Sequence, residues 1–163
     1  YLGREYLYRG MFRKAAEELK RHLTLPSAVW DEERAASMRY LSACMHALGD
    51  ERSAMCWAMR AIAEVPEQRE NWYEAEKAAY RAENWEGVVY YGRKALRITT
   101  KSRSAINEAE AWGAAPWDLL SIGLWHTGGI RGAAVAASTA LSLCRSERIE
   151  ANLRLFQERL GEA

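Results

Sequence analysis

Shifted along itself by 34 residues, the chain repeats its own apolar pattern, and a period of that size restricts a sequence to stacked copies of one small unit. Met38 falls on Trp72, Ala54 on Val88, Ala61 on Ala95 and Ile62 on Leu96. The frame returns after a wider gap at Trp117, Leu120, Leu124, Gly128, Ala133, Ala140 and Leu141. Inside one unit, apolar residues recur every three or four positions, first in Met38, Leu41, Met45 and Leu48, then in Ala54, Ala58, Ala61, Ile62 and Val65. That spacing marks two amphipathic helices. Gly49 closes the first, and Pro66 keeps the second from continuing. The unit is a helical hairpin whose small residues (Ala54, Ala61, Ala95, Ala133, Ala140) let helices approach closely.

A period near 34 with W-x2-L-G-x2-Y, then Ala, then a closing Pro, resembles the tetratricopeptide repeat. The resemblance implies an all-α fold, a right-handed superhelix of hairpins at about 1–25, 34–66, 69–98 and 116–143. A capping helix at about 147–160, carrying Ile149, Leu153, Phe156 and Leu160, completes one domain over 1–163. Leu2-Gly3-x-x-Tyr6 matches the L-G-x2-Y part of the signature, and its tryptophan position falls ahead of Tyr1. The chain is therefore expected to be a piece of a longer polypeptide. Ala58, Ala79 and Ala137 depart from the signature, standing where a bulky ring is usual. They would leave the middle of the array looser or allow tighter stacking.

Composition excludes several classes. Hydrophobic residues make up 49% and charged residues 28%, the balance of a globular chain. No apolar run approaches the roughly 20 residues that span a bilayer. A formal net charge of +1, with basic and acidic residues interspersed, shows no excess suited to nucleic acid. Cys44, Cys56 and Cys144 are scattered through helical patterns, as free thiols of a cytoplasmic protein are. His22, His46 and His126 lie far apart with no partner at metal-ligand spacing. No cofactor is expected.

Catalytic patterns are also missing. Asp31, Asp50 and Asp118 are distant in sequence, so there is no aspartate pair to hold a metal-bound nucleotide. Adjacent Glu17-Glu18 and Glu32-Glu33 cannot share a helix face. "TGGIRG" lacks the Lys-Ser/Thr of a phosphate loop, and its glycines coincide with an interhelix turn. Two segments interrupt the period. "LPSAVWDEER" lengthens the first connection, with Asp31 a candidate helix cap. "TTKSRSAINEAEAWGAAPWD" precedes the fourth hairpin, and a loop that long is often functional. Its Ile106, Ala109 and Trp112 predict a short amphipathic turn packed back on the array, while Glu108-x-Glu110 reads as solvated loop.

The remaining candidate is a surface. The first helix of each hairpin in such an array lines a concave groove. Helical spacing places Arg4, Arg39, Ala43 and His46 there, then Tyr73, Lys77, Tyr80 and Arg81, then Asp118, Ile122, Trp125 and His126. Arg, Lys, Tyr and Trp suit an acidic or aromatic peptide, because guanidinium groups pair with carboxylates and rings supply contact area at low entropic cost. The alternative is that these are ordinary polar and interfacial residues. Ala43 and Ile122 stand where a clamp for a terminal carboxylate would need Asn.

"YLGREYLYRGMFRKAAEELKRHLTLPSAVWDEERAASMRYLSACMHALGD", "WEGVVYYGRKAL" and "NEAEAWGAAPWDLLSIGL" together resemble the helical segment that follows the catalytic domain in bacterial and phage family 2 glycosyltransferases. The resemblance implies a non-catalytic scaffold at the C-terminal side of a nucleotide-sugar enzyme, positioning an acceptor or mediating self-association as a homodimer. The family's metal and sugar-nucleotide residues belong to that other domain, so none carries over to positions here. The alternative is a stand-alone peptide-binding adaptor with no attached enzyme.

Overall fold

The computed structural model describes residues 2–103 and 106–162. Tyr1, Ser104, Ala105 and Ala163, two of them the ends of the expected domain, lie outside the described residues. Among those described there are nine α-helices and no strand. They run as α1 (Leu2–Tyr8), α2 (Phe12–Thr24), α3 (Asp31–Ala47), α4 (Glu51–Glu64), α5 (Arg69–Arg81), α6 (Trp85–Arg97), α7 (Ala115–His126), α8 (Ile130–Leu143) and α9 (Glu147–Gly161). One 3-10 turn, Ala109–Trp112, lies between α6 and α7. Each helix packs on the next, and α1, α3, α5 and α7 also touch in series, the arrangement of a solenoid.

Every hairpin turns at one register position. Gly10, Gly49 and Gly128 have φ of 71°, 82° and 83°, and Glu83 stands at the same place with φ 53°. This left-handed residue lets the amide beyond it reach back into the last helical turn: Asp50 N to Met45 O and Asn84 N to Ala79 O, both 2.9 Å. Asp50 and Asn84 then start the second helix by accepting from the amides of Ser53 (2.9 Å) and Gly87 (3.0 Å). Asp31 does not act as such a cap. It is the first residue of α3, and its carboxylate accepts from the adjacent Glu32 amide at 2.8 Å.

The seams are built from alanine. Ala15, Ala54, Ala61, Ala95, Ala133 and Ala140 are fully buried. Seven residues before each turn and nine after it, a second pair of positions shows matched volumes: Gly3 with Leu19, Ser42 with Ala58, Glu76 with Gly92, and Ser121 with Ala137. A Cβ on Gly3 would lie 2.7 Å from Leu19 Cγ, and one on Gly92 would lie 3.0 Å from Glu76 Cδ. Size on one helix is thus compensated by smallness on its partner. Ala58 and Ala137 are the middle terms of this exchange, and both are fully buried.

Between hairpins the same rule holds. A Cβ on Gly123 would sit 2.8 Å from Val88 Cγ1 and 3.2 Å from Val89 Cγ2, across the α6–α7 seam. Gly123→Ala is therefore expected to destabilise by about 1–3 kcal/mol through overpacking, less up to about 1 kcal/mol of regained helix propensity. Urea denaturation followed by circular dichroism reads the difference.

Candidate functional site

Helix α5 begins Arg-Glu-Asn-Trp-Tyr-Glu-Ala-Glu-Lys, and although it is rich in polar residues, Arg69, Glu70, Asn71, Tyr73, Glu74 and Glu76 are all buried. Buried polar groups need partners, and here most come from α3 and from the segment between α6 and α7. On the α3 side, Ser42 Oγ donates to Glu74 at 2.8 Å and Arg39 Nη1 donates to Asn71 at 2.5 Å. Asn71 in turn donates to the Val65 carbonyl at 2.7 Å. Arg39 is 1% exposed, and its Nε donates to Glu108 at 2.8 Å.

The segment 106–112 thus lies across the inner wall. Trp112 Nε1 donates to Glu70 at 2.7 Å, and the Arg69 guanidinium lies 4.0 Å from the centre of the indole. Arg69 Nε donates to the Ile98 carbonyl at 2.8 Å and Nη1 to that of Ala111 at 3.4 Å. Ala111 is fully buried, whereas Ala109 is exposed. The segment packs on the array as expected, but through Ala111 and Trp112 rather than Ala109. Glu108 is also not a solvated loop residue, since it faces a buried guanidinium. Burial first, and then the nearby Glu110, push the Tyr73 phenol upward. Burial pulls the Lys77 ammonium down, but Glu74, Glu108 and Glu110 outweigh it and the net direction is up.

Beside this segment a cavity of about 450 Å³ stays open, lined by Arg4 and Tyr8 of α1, Arg39, Tyr40 and Ala43 of α3, Glu74 and Lys77 of α5, and residues 106–110. Arg4 and Lys77 occupy the same register position in their hairpins, as do Ala43 and Ile122. Lys77 pairs with Glu74 at 2.8 Å and lies over the Tyr73 ring at 4.9 Å. Burial raises the Tyr40 phenol, and the Arg4 guanidinium beside it pulls the other way.

The structure divides the ten groove candidates. Arg4, Arg39 and Lys77 meet at the cavity, and Tyr73 lies under the covering segment, 2% exposed. Arg81 joins them indirectly, 3.7 Å from Glu74. The other five stand elsewhere. His46 pairs with Glu51 across its own turn. Tyr80 meets Trp85 edge-on at 5.9 Å, and His126 stacks on the same Trp85 at 4.0 Å, forming a ring cluster near the hairpin turns. Asp118 is bound by Arg148 and Trp125 stacks on Phe156 at 5.0 Å, both partners supplied by α9. The cap helix thus takes up two of the groove positions. Tyr8, Tyr40, Arg69, Glu74, Glu108 and Trp112 were not among the expected site residues. The signal available in the sequence is the crowding of Arg69, Glu70, Asn71, Glu74 and Glu76 into the first eight residues of α5.

Among the described residues no three His, Cys, Asp or Glu side chains gather as a metal site, and no helix is long and apolar enough to cross a membrane. No family model matches the chain, and no curated protein matches it. Solved structures do. A crystal structure of MamA superposes with a TM-score of 0.77 at 14% identity, covering 99% of this chain and 85% of that one. The MamA MSR-1 C2 structure gives 0.72 at 16% identity, over 98% and 83%. MamA from residue 41 to its end, from Desulfovibrio magneticus RS-1, gives 0.74 at 14% identity, over 98% and 82%. At these identities the likeness is one of fold alone: the chain is an all-helical solenoid of the tetratricopeptide type.

Proposed function

We propose that this chain is a non-catalytic interaction scaffold that holds an extended acidic or aromatic segment of another polypeptide against its concave wall. The observation that carries this reading is the cavity of about 450 Å³ where Arg4, Arg39 and Lys77 converge with Tyr8 and Tyr40. Three cations and two rings lining it offer charge-assisted hydrogen bonds and rigid contact area. An array of acidic, neutral and basic peptides tests it. Acidic peptides are expected to bind, and Arg4→Ala with Tyr8→Ala should weaken them about tenfold, the size of one good interface anchor. Arg93→Ala with Arg97→Ala, on a different cavity lined by α6, should change nothing. A blank array, or equal loss from both pairs, rejects the reading.

The resemblance of residues 1–50, 85–96 and 107–124 to family 2 glycosyltransferases supports a wider setting, in which the scaffold serves a nucleotide-sugar enzyme in the same polypeptide. There it would position an acceptor or pair with a second copy, in a cytoplasmic compartment that suits its three free cysteines. Reading the gene upstream of Tyr1 decides between this and a stand-alone adaptor. Size-exclusion chromatography with light scattering reads the self-association.

A further inference from the structure

Segment 106–112 binds the inner wall as a separate peptide would. A carboxylate meets Arg39, a main-chain carbonyl meets Arg69, and an indole is held between Arg69 and the Glu70 carboxylate. The fold does not require this length of chain. Residues 65–68 suffice to link α4 to α5, whereas 98–114 link α6 to α7. A step of the same kind is made with a much longer connection. What the extra residues do is cover a slot where Arg39, Arg69 and Lys77 stand beside Glu70 and Glu74, and bring a carboxylate to Arg39. One donor there is still unused: Arg39 Nη2 is buried with no hydrogen-bond partner among the described residues.

Building on the proposed scaffold role, we infer that the slot formed by Arg39, Arg69 and Lys77 recognises an acidic segment ending in an aromatic side chain, and that residues 106–112 are its resident competitor. The partner is a polypeptide with Glu two and four residues before Trp, or a close equivalent. Charge complementarity selects it, since Glu108 meets Arg39 at 2.8 Å and Glu110 lines the same cavity as Lys77. Tethering makes the competitor strong. A short linker gives it a millimolar effective concentration, so the intact chain binds a free copy weakly, in proportion to the fraction of time the slot is empty.

The probe is a labelled synthetic peptide of residues 106–113, titrated by fluorescence anisotropy. Against the doubly substituted chain Glu108→Ala with Trp112→Ala, binding should tighten by about tenfold or more relative to the intact chain, and it should weaken with salt. Glu110→Lys, at an exposed position, should give a smaller gain in the same direction and serves if the double variant fails to fold. On the intact chain, excess peptide should raise hydrogen exchange at amides 106–112. A helical variant that binds no tighter than the intact chain, or an exchange pattern that peptide leaves unmoved, overturns the inference. If the peptide array still binds through Arg4 and Tyr8 in that case, the scaffold reading stands without it. A blank array, together with no gain in the substituted chain, removes both.

Discussion

Arg39→Ala should lower the unfolding free energy by about 3–5 kcal/mol, the range for removing one partner of a buried ion pair, and lower the melting temperature by about 6–20 °C in a chain of this size. The guanidinium is 1% exposed and serves three elements at once: Glu108 of the covering segment, Asn71 of α5, and Gln68 just before it. Truncation leaves the Asn71 amide oxygen without its donor in the interior, which by itself costs about 1–3 kcal/mol. It also leaves a void and releases Glu108. Arg39→Met combined with Glu108→Ala should recover part of the loss, because a packed apolar side chain replaces an ion pair at little net cost. The Asn71 penalty should persist. Urea denaturation gives the energies, and hydrogen exchange at 106–112 shows whether the covering segment has loosened. If Arg39→Ala costs less than about 1 kcal/mol, as surface substitutions do, the guanidinium does not hold the segment down.

The parts of this fold that can be read along the chain are those set by neighbours in sequence. Gly10, Gly49 and Gly128 announce the turns because a left-handed residue favours glycine. Ala54, Ala61 and Ala95 announce the seams because nothing larger fits. The groove was half legible for the same reason. Register shows that Arg4, Ala43 and Lys77 look to one side, but not what lies on top of them. Arg39 and Glu108 are 69 residues apart, and Trp125 is covered by Phe156 of a helix whose docking face the period does not specify. Register alone shows Tyr73 as open, although it is buried beneath residues that come some thirty-five positions later in the chain. The available clue is compositional: Arg69, Glu70, Asn71, Glu74 and Glu76 crowd the first eight residues of α5, and all five are buried.

The third hairpin breaks the small-residue pattern, and that break can be tested as a pair. Glu76 occupies the slot that holds Gly3, Ser42 and Ser121 in the other hairpins, and Gly92 faces it where they have Leu19, Ala58 and Ala137. Glu76 is fully buried and neither carboxylate oxygen has a hydrogen-bond partner among the described residues. Burial first, and the Asp118 charge second, hold its carboxyl well above the ordinary 4.5. A folded value raised above the unfolded one means the favourable contribution is complete below the ordinary value and is lost as pH rises through the raised one. Glu76→Gln removes that slope, so its advantage over the parent should grow from acid to neutral pH. Gly92→Ala alone should destabilise by about 1–3 kcal/mol, because the new methyl meets the carboxylate. With Glu76→Ser in place, Ala at position 92 recreates the second and fourth hairpins, and the same change should stabilise by about 0.5–1 kcal/mol through regained helix propensity. The sign reversal is the prediction. A cost at position 92 that is equal in both backgrounds, within the few tenths of a kcal/mol expected of independent sites, would mean the two residues do not share a slot.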